Sequence, residues 1–313
     1  MKKTLVLFGI LGVLIIIACS NITPNKTAHS SGPISKKNTL PESIKEPSTD
    51  FKKYWYNGKA EITSYELEQA RYGEIRKGKA VLIYVTEDFL PKEQVKADRE
   101  NPSNIPVLKL NATKKFNTGI YPYSIMQSTF YSVTNDQHAI KVSSSMQEWC
   151  GQVYAQLNNR EKFEVISHSY FEGEADQNFK LEKNILENEL WAKIRINPKS
   201  LPKGDISIIP SFEYCRLRHK EIKAYKAKAT LHQGDKTYSY TIDYPELNRN
   251  ISLIFNRVFP YEIESWTETF KSGFGSNAKE LTTKATKVKS ITSAYWNKNS
   301  NKDEVLRDVL DLN

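Results

Sequence analysis

The chain has 313 residues, with 45 Lys+Arg against 36 Asp+Glu, a net charge of +9 and three cysteines. Its 13 glycines and 13 prolines fall below the roughly 12% share of an ordinary chain, which excludes collagenous and Pro/Gly low-complexity classes. The 17 tyrosines and 13 phenylalanines exclude a disordered chain and call for a packed core, which three cysteines cannot replace as staples.

Lys2-Lys3 is followed by an uninterrupted apolar stretch from Leu5 to Ala18. A membrane-spanning helix needs ~20 such residues, so this shorter run reads as the hydrophobic region of a signal peptide. It ends Ile16-Ile17-Ala18-Cys19, which resembles the bacterial lipobox: a branched apolar residue, a tolerant position, a small residue, then Cys. The resemblance implies a diacylglycerol on the Cys19 thiol, cleavage before Cys19 and acylation of the new amine. Several chains on one residue exceed what stable anchoring requires, at ~0.8 kcal/mol per buried CH₂. Ser20-Asn21 follow, with no Asp, and Ser20 to Thr39 contains no acidic residue. By the same resemblance, the protein is expected on the outer membrane, facing the periplasm. The expected organisation is a signal peptide over 1–18, a lipidated Cys and flexible tether over 19–50, and one β-rich globular domain over 51–313. Losing Lys2 and Lys3 lowers the net charge from +9 to +7.

Tyr54 to Lys59 opens the domain with aromatics and a turn. Val81 to Thr86 is a β-branched and aromatic run, predicted as a buried strand. A Pro-punctuated loop spans about Pro91 to Pro106. Strands are then expected at Val107 to Asn111, Ser124 to Val133, Ala139 to Ser145, and Cys150 to Leu157. Phe163 to Ser167 pairs with the last of these across Asn158-Asn159-Arg160. Leu181, Ile185, Leu186, Leu190 and Ile194 recur at helical spacings, and Pro198 ends that predicted helix. Ile222 to Leu231 and Thr237 to Ile242 flank the polar turn His232 to Lys236, a hairpin signal. Ile251 to Val258 and Tyr261 to Phe270 form another pair broken at Pro260. A last strand is expected at Val288 to Tyr295, and Val305, Leu306, Val309 and Leu310 mark a short amphipathic C-terminal helix. No repeat of 20–50 residues occurs, which disfavours solenoids and propellers. Strands do not alternate with helices, which disfavours a parallel α/β sheet. The expected fold is mainly β: a large, curved, largely antiparallel sheet or half-barrel with one internal helix and a C-terminal helix.

Local chemistry is sparse. Trp149-Cys150-Gly151-Gln152-Val153 begins like a thioredoxin-type motif but has Val153 where the second thiol belongs. Cys150 is therefore expected to be a small buried residue. Cys150 and Cys215 are the only thiols besides Cys19, and an oxidising compartment would permit a disulfide between them. Glu172, Glu174 and Asp176, beside His168, form the densest acidic cluster and a candidate ligand or cation contact. They lack the fuller spacing of an EF-hand loop, so a solvated turn is the plainer reading. No zinc-ligand or esterase signature is present, and no metal, cofactor or catalytic residue is assigned. The Lys279, Lys284, Lys287 and Lys289 stretch reads as a wet sheet face, and a nucleic-acid partner is not expected for an exported chain.

Tyr72 to Asp88, Gly119 to Met126, and Phe171 to Phe179 together resemble a bacterial lipoprotein family of unassigned biochemical activity. Its members sometimes carry the label "septum formation inhibitor Maf". The Ser-x-Ser-x-x-Arg motif of Maf pyrophosphatases is not matched. Ser143 and Ser145 are followed by Glu148, Ser167 and Ser169 by Glu172, so no Maf catalytic residue carries over. The expectation is a non-catalytic envelope maintenance or ligand-binding domain held at the bilayer by acylated Cys19. Its ligand would be apolar, glycan or anionic, with a concave sheet lined by Tyr and Trp as the place to hold it. The alternatives are a periplasmic hydrolase using His168, and a structural subunit of an outer-membrane complex.

Overall fold

The computed structural model describes residues 46–134 and 137–313. The expected signal peptide, the expected lipid-bearing Cys19 and the expected tether up to residue 45 lie outside the described residues. Alternating apolar and polar side chains drive most of the rest into strands. These are β1 Ala60–Arg71, β2 Glu74–Leu90, β3 Val95–Lys96, β4 Ile105–Thr118, β5 Tyr121–Ser132, β6 Lys141–Glu148, β7 Gly151–Asn159 and β8 Phe163–Ser169. They continue as β9 Gln177–Leu181, β10 Ile185–Leu186, β11 Gly204–Ile209, β12 Tyr225–Gln233, β13 Thr237–Tyr244, β14 Arg249–Asn256, β15 Ile263–Ser272 and β16 Lys279–Ser293. The helices are α1 Thr49–Trp55, α2 Glu187–Ile196, α3 Phe212–Leu217 and α4 Val305–Val309.

All 16 strands belong to one sheet, ordered β10-β11-β12-β13-β14-β15-β16-β1-β2-β4-β5-β6-β7-β8-β9, with β3 on β2. Two meanders, one from each half of the chain, are joined where β1 pairs with β16, Ala60 opposite Ser293. Every pairing is antiparallel except the two-residue contact of β10 with β11. The fold is therefore the large, open, curved, mainly β sheet expected. Its inner face carries Tyr65, Leu82, Leu110, Tyr123, Leu157 and Tyr240, which pack with Leu190 and Ile194 of α2 and Phe212 and Leu217 of α3 in one core. The outer face carries two apolar clusters: Ile62 and Val85 lie under Leu310 with Leu312 alongside, and Phe89, Val107 and Ile140 pack with Phe130.

Local chemistry explains the turns and close approaches. Tyr72 and Gly73 both have positive φ, 55° and 78°, the two-residue hairpin that matches strand twist. At Gly78 a Cβ would lie 2.2 Å from the Lys115 carbonyl oxygen, so only glycine lets β2 and β4 approach there. In α1 the Ser48 hydroxyl accepts the Phe51 N–H at 3.1 Å. That cap aims Phe51 and Trp55, four residues apart, into the core.

Several boundaries differ from expectation. The helix predicted from Leu181 begins only at Glu187, because Leu181 ends β9 and Ile185-Leu186 form β10. The Glu189 carboxylate accepts the Leu186 N–H at 3.3 Å and sets the start. The last strand begins at Lys279, well before Val288. Strands β1 and β11 and helices α1 and α3 were not anticipated. β1 hides because its inner face mixes Tyr65 and Leu67 with buried polar Glu61, Thr63, Gln69 and Arg71, while its outer face is buried at Ala60 and Ile62 but exposed at Glu66 and Glu68.

Candidate functional site

The middle of the sheet's inner face is occupied. Helix α2 brings Arg195 onto Glu61 of β1 as a bidentate pair, both contacts 2.6 Å. The Arg195 Nε–H donates to the Pro260 carbonyl at 2.7 Å, and the guanidinium lies over the rings of Tyr84 and Trp55. Tyr54 donates to the same Glu61 carboxylate at 2.6 Å. Burial opposes ionisation of Glu61, but the charge and hydrogen bonds of Arg195 prevail and hold its carboxyl below the ordinary range.

A second knot has the same logic. Arg249 of β14 reaches Glu187 at the start of α2 through both terminal nitrogens, one contact 2.7 Å, and its Nε–H donates to Glu268 of β15 at 2.6 Å. Tyr244 also donates to Glu187, at 2.6 Å. Burial again works against the charge of Glu187, and Arg249 again lowers its pKa overall. A third group, Glu213 of α3, accepts from Lys114 at 2.7 Å and from Gln127 at 3.0 Å. Here burial prevails over Lys114 and raises the Glu213 carboxyl. A cavity of about 50 Å³ remains between Gln127, Glu187, Trp191, Glu213, Arg249 and Glu268. It is large enough for water, which needs ~10–15 Å³, and far smaller than the ~300–1,000 Å³ of a ligand pocket. Helices α2 and α3 thus fill the middle of the concave face, and open space remains at its β7–β8 end, over Val153, Ala155 and Ser167.

The roomier site is at one end of the sheet, beside α3. A cleft of about 530 Å³ is lined by Phe171, Glu174, Cys215, Arg216, His219 and Lys220, among others. Part of the predicted acidic cluster lies here, but its charge is neutralised from within. Glu174 accepts from Arg216 at 3.0 Å, faces His219 Nδ1 at 2.9 Å, and accepts from the Ser169 hydroxyl at 2.8 Å. The Arg216 guanidinium lies 4.0 Å from the centre of the Phe171 ring. Glu172 lines the same cleft. Asp176 instead accepts the Ser169 N–H at 3.3 Å and faces His168 Nδ1 at 3.2 Å. Among the described residues, no three His, Cys, Asp or Glu side chains converge to hold a metal ion. His168 is exposed on β8 and is not among the cleft's lining residues.

The cysteines require two corrections. Cys150 is exposed in the β6–β7 turn, not buried, because a two-residue turn at Trp149-Cys150 lifts it off the sheet. Cys150 and Cys215 are both free, so the disulfide between them is not formed. Burial pushes the Cys215 thiol up to about 12, and a hydrogen bond and charge from Glu148 raise Cys150. Neither environment produces a thiolate nucleophile. Sequence reasoning missed Arg216 and His219, which sit on or just after an unpredicted helix and carry no motif.

No family model matches the chain, and no curated protein matches it. A solved beta-barrel-like protein of a domain of unknown function, DUF1849, from Brucella abortus is similar at a TM-score of 0.46 and 8% identity, covering 75% of this chain and 98% of that one.

Proposed function

We propose that this is an outer-membrane-anchored, periplasm-facing lipoprotein whose folded body is a non-catalytic binding or envelope-maintenance domain. The observation that carries the non-catalytic reading is the filled middle of the inner face. The buried charges of Glu61, Arg195, Glu187, Arg249 and Glu268 are each engaged by one another. Such closed networks fix a structure rather than await a substrate. The sequence supports the anchor through the Leu5–Ala18 stretch and Ala18-Cys19. A glycan ligand has the α3 cleft as its place, where apolar Phe171 and Phe212 sit beside the polar side chains of Glu172, His219 and Lys220. The hydrolase alternative loses its residue, since His168 faces outward with Asp176 and lacks a cleft.

The test is cell fractionation of a Cys19→Ala variant. The variant is expected to leave the membrane fraction or to accumulate as uncleaved precursor. Mature protein that stays on the membrane as wild type does would refute the anchor.

A further inference from the structure

The end of the sheet that carries the α3 cleft also carries a set of exposed large apolar side chains. Because the strands form antiparallel meanders, the β1–β2, β4–β5, β6–β7, β8–β9 and β15–β16 turns all project from this end. Ile120 is 84% exposed, Tyr170 75%, Trp149 68% and Phe274 65%, each in one of those turns or just beyond its strand. The turns touch. The rings of Phe274 and Tyr72 are 6.0 Å apart, the Tyr72 hydroxyl is 3.0 Å from that of Tyr123, and Tyr121 is 6.4 Å from Trp149. Tyr170 packs over Gly151, where a Cβ would lie 2.7 Å from its ring. The result is one rim, supported from below by the sheet.

We infer that this rim is a membrane-docking surface that seats the domain on a bilayer interface. The chemistry favours lipid over other partners. Tyr and Trp suit the headgroup level, having a polar handle on an apolar body. Ile120 and Phe274 have no handle at all, which fits hydrocarbon better than the hydroxylated face of a glycan. The five turns and residues 218–224 after α3 carry four carboxylates against three Lys or Arg, so no net positive charge draws the rim to an anionic surface, the attraction is apolar and its dependence on salt is weak. Reach is adequate. The described chain enters at the opposite end through α1, and the 12 residues of β1 rise ~40 Å at most. The residues from Cys19 to Lys45 span up to ~90 Å when extended, so anchor and rim can occupy the same bilayer. This inference rests on the lipid-anchor reading given above.

The full-length acylated protein, reconstituted on vesicles of phosphatidylethanolamine and phosphatidylglycerol with brominated acyl chains, provides the test. Subtracting the emission of a Trp149→Phe variant isolates Trp149 from the other four tryptophans. Most of the Trp149 component is expected to be quenched, with little change on adding salt. An Ile120→Asp/Phe274→Asp variant, altered only at exposed tips, is expected to remain on the vesicles with Trp149 unquenched. If wild-type protein sediments with the vesicles but Trp149 is unquenched, the rim inference is overturned and the anchor stands. If wild-type protein does not sediment with them, both fall. Rim-dependent retention on purified peptidoglycan without quenching overturns it in favour of a glycan partner.

Discussion

Two arginine-carboxylate clusters in this molecule use the same groups to different ends. Arg249, on the inner face, is 2% exposed and holds two carboxylates from different elements. Arg216, at the cleft, holds Glu174, but that carboxylate is 21% exposed and shared with an exposed histidine. The first cluster is shut off from bulk solvent, and a small enclosed cavity beside it cannot solvate an orphaned charge as bulk water does, so its members depend on one another. The second sits where solvent can substitute, so its geometry can change at small cost. Burial, not residue type, separates the part that defines the fold from the part free to meet a ligand.

The largest expected effect comes from breaking the inner cluster. Arg249→Met orphans Glu187 and Glu268 together, and the expected loss is about 3–5 kcal/mol, read by urea denaturation. A loss below ~1 kcal/mol would mean that water reaches these carboxylates, and the contrast between the clusters would fail.

Acid tests the same contrast without mutation. Glu61 and Glu187 have folded-state pKa values below the ordinary 4.5. Each therefore contributes stability that is present above 4.5 and lost as pH falls through its lowered value. Glu213 has the opposite sign. Its pKa is raised, so the fold binds that proton more tightly, and its contribution is lost as pH rises from 4.5 through the raised value. Stability is expected to fall below about pH 5, less steeply in Glu61→Gln than in wild type and more steeply in Glu213→Gln. An acid profile unchanged by Glu61→Gln would show that the pair is not ionised as drawn.

The smallest effect belongs to the cleft. Glu174→Gln should cost no more than ~1 kcal/mol, the range of partly exposed pairs. A loss approaching that of Arg249→Met would make the cleft part of the fold's foundation instead of an adaptable site.

Much of the architecture was legible because alternation was clean. The turns expected at Asn158 to Arg160 and His232 to Lys236 do join β7 to β8 and β12 to β13, but β7 runs on to Asn159 and β12 to Gln233, so the connections are 160–162 and 234–236. Alternation failed as a guide where charged and polar side chains occupy core positions. In β1, Glu61 and Arg71 look like solvent-facing residues until Arg195 and the Leu217 carbonyl are brought to them from 134 and 146 positions away. Helical spacing misled at Leu181 to Leu186, where apolar residues on an edge strand and a two-residue bridge imitate one face of a helix. The acidic cluster was visible, but its neutralising partners Arg216 and His219 lie 42 and 45 positions further along. Short-range pattern has no access to such pairings.

The junction of β1 with β16 has a consequence for how the chain acquires its shape. Each meander is assembled from neighbours in sequence, whereas Ala60 must find Ser293 across nearly the whole domain. Closing so long a loop adds an entropic cost before any of its contacts form, and non-local pairings of this kind slow folding. A chain made from its N-terminus can build β1 to β9 early, yet β1 keeps one bare edge until the final strand arrives. During that interval the exposed edge is a template for pairing with other chains. The last residues of the sheet therefore act as its stopper against aggregation as well as its final stave.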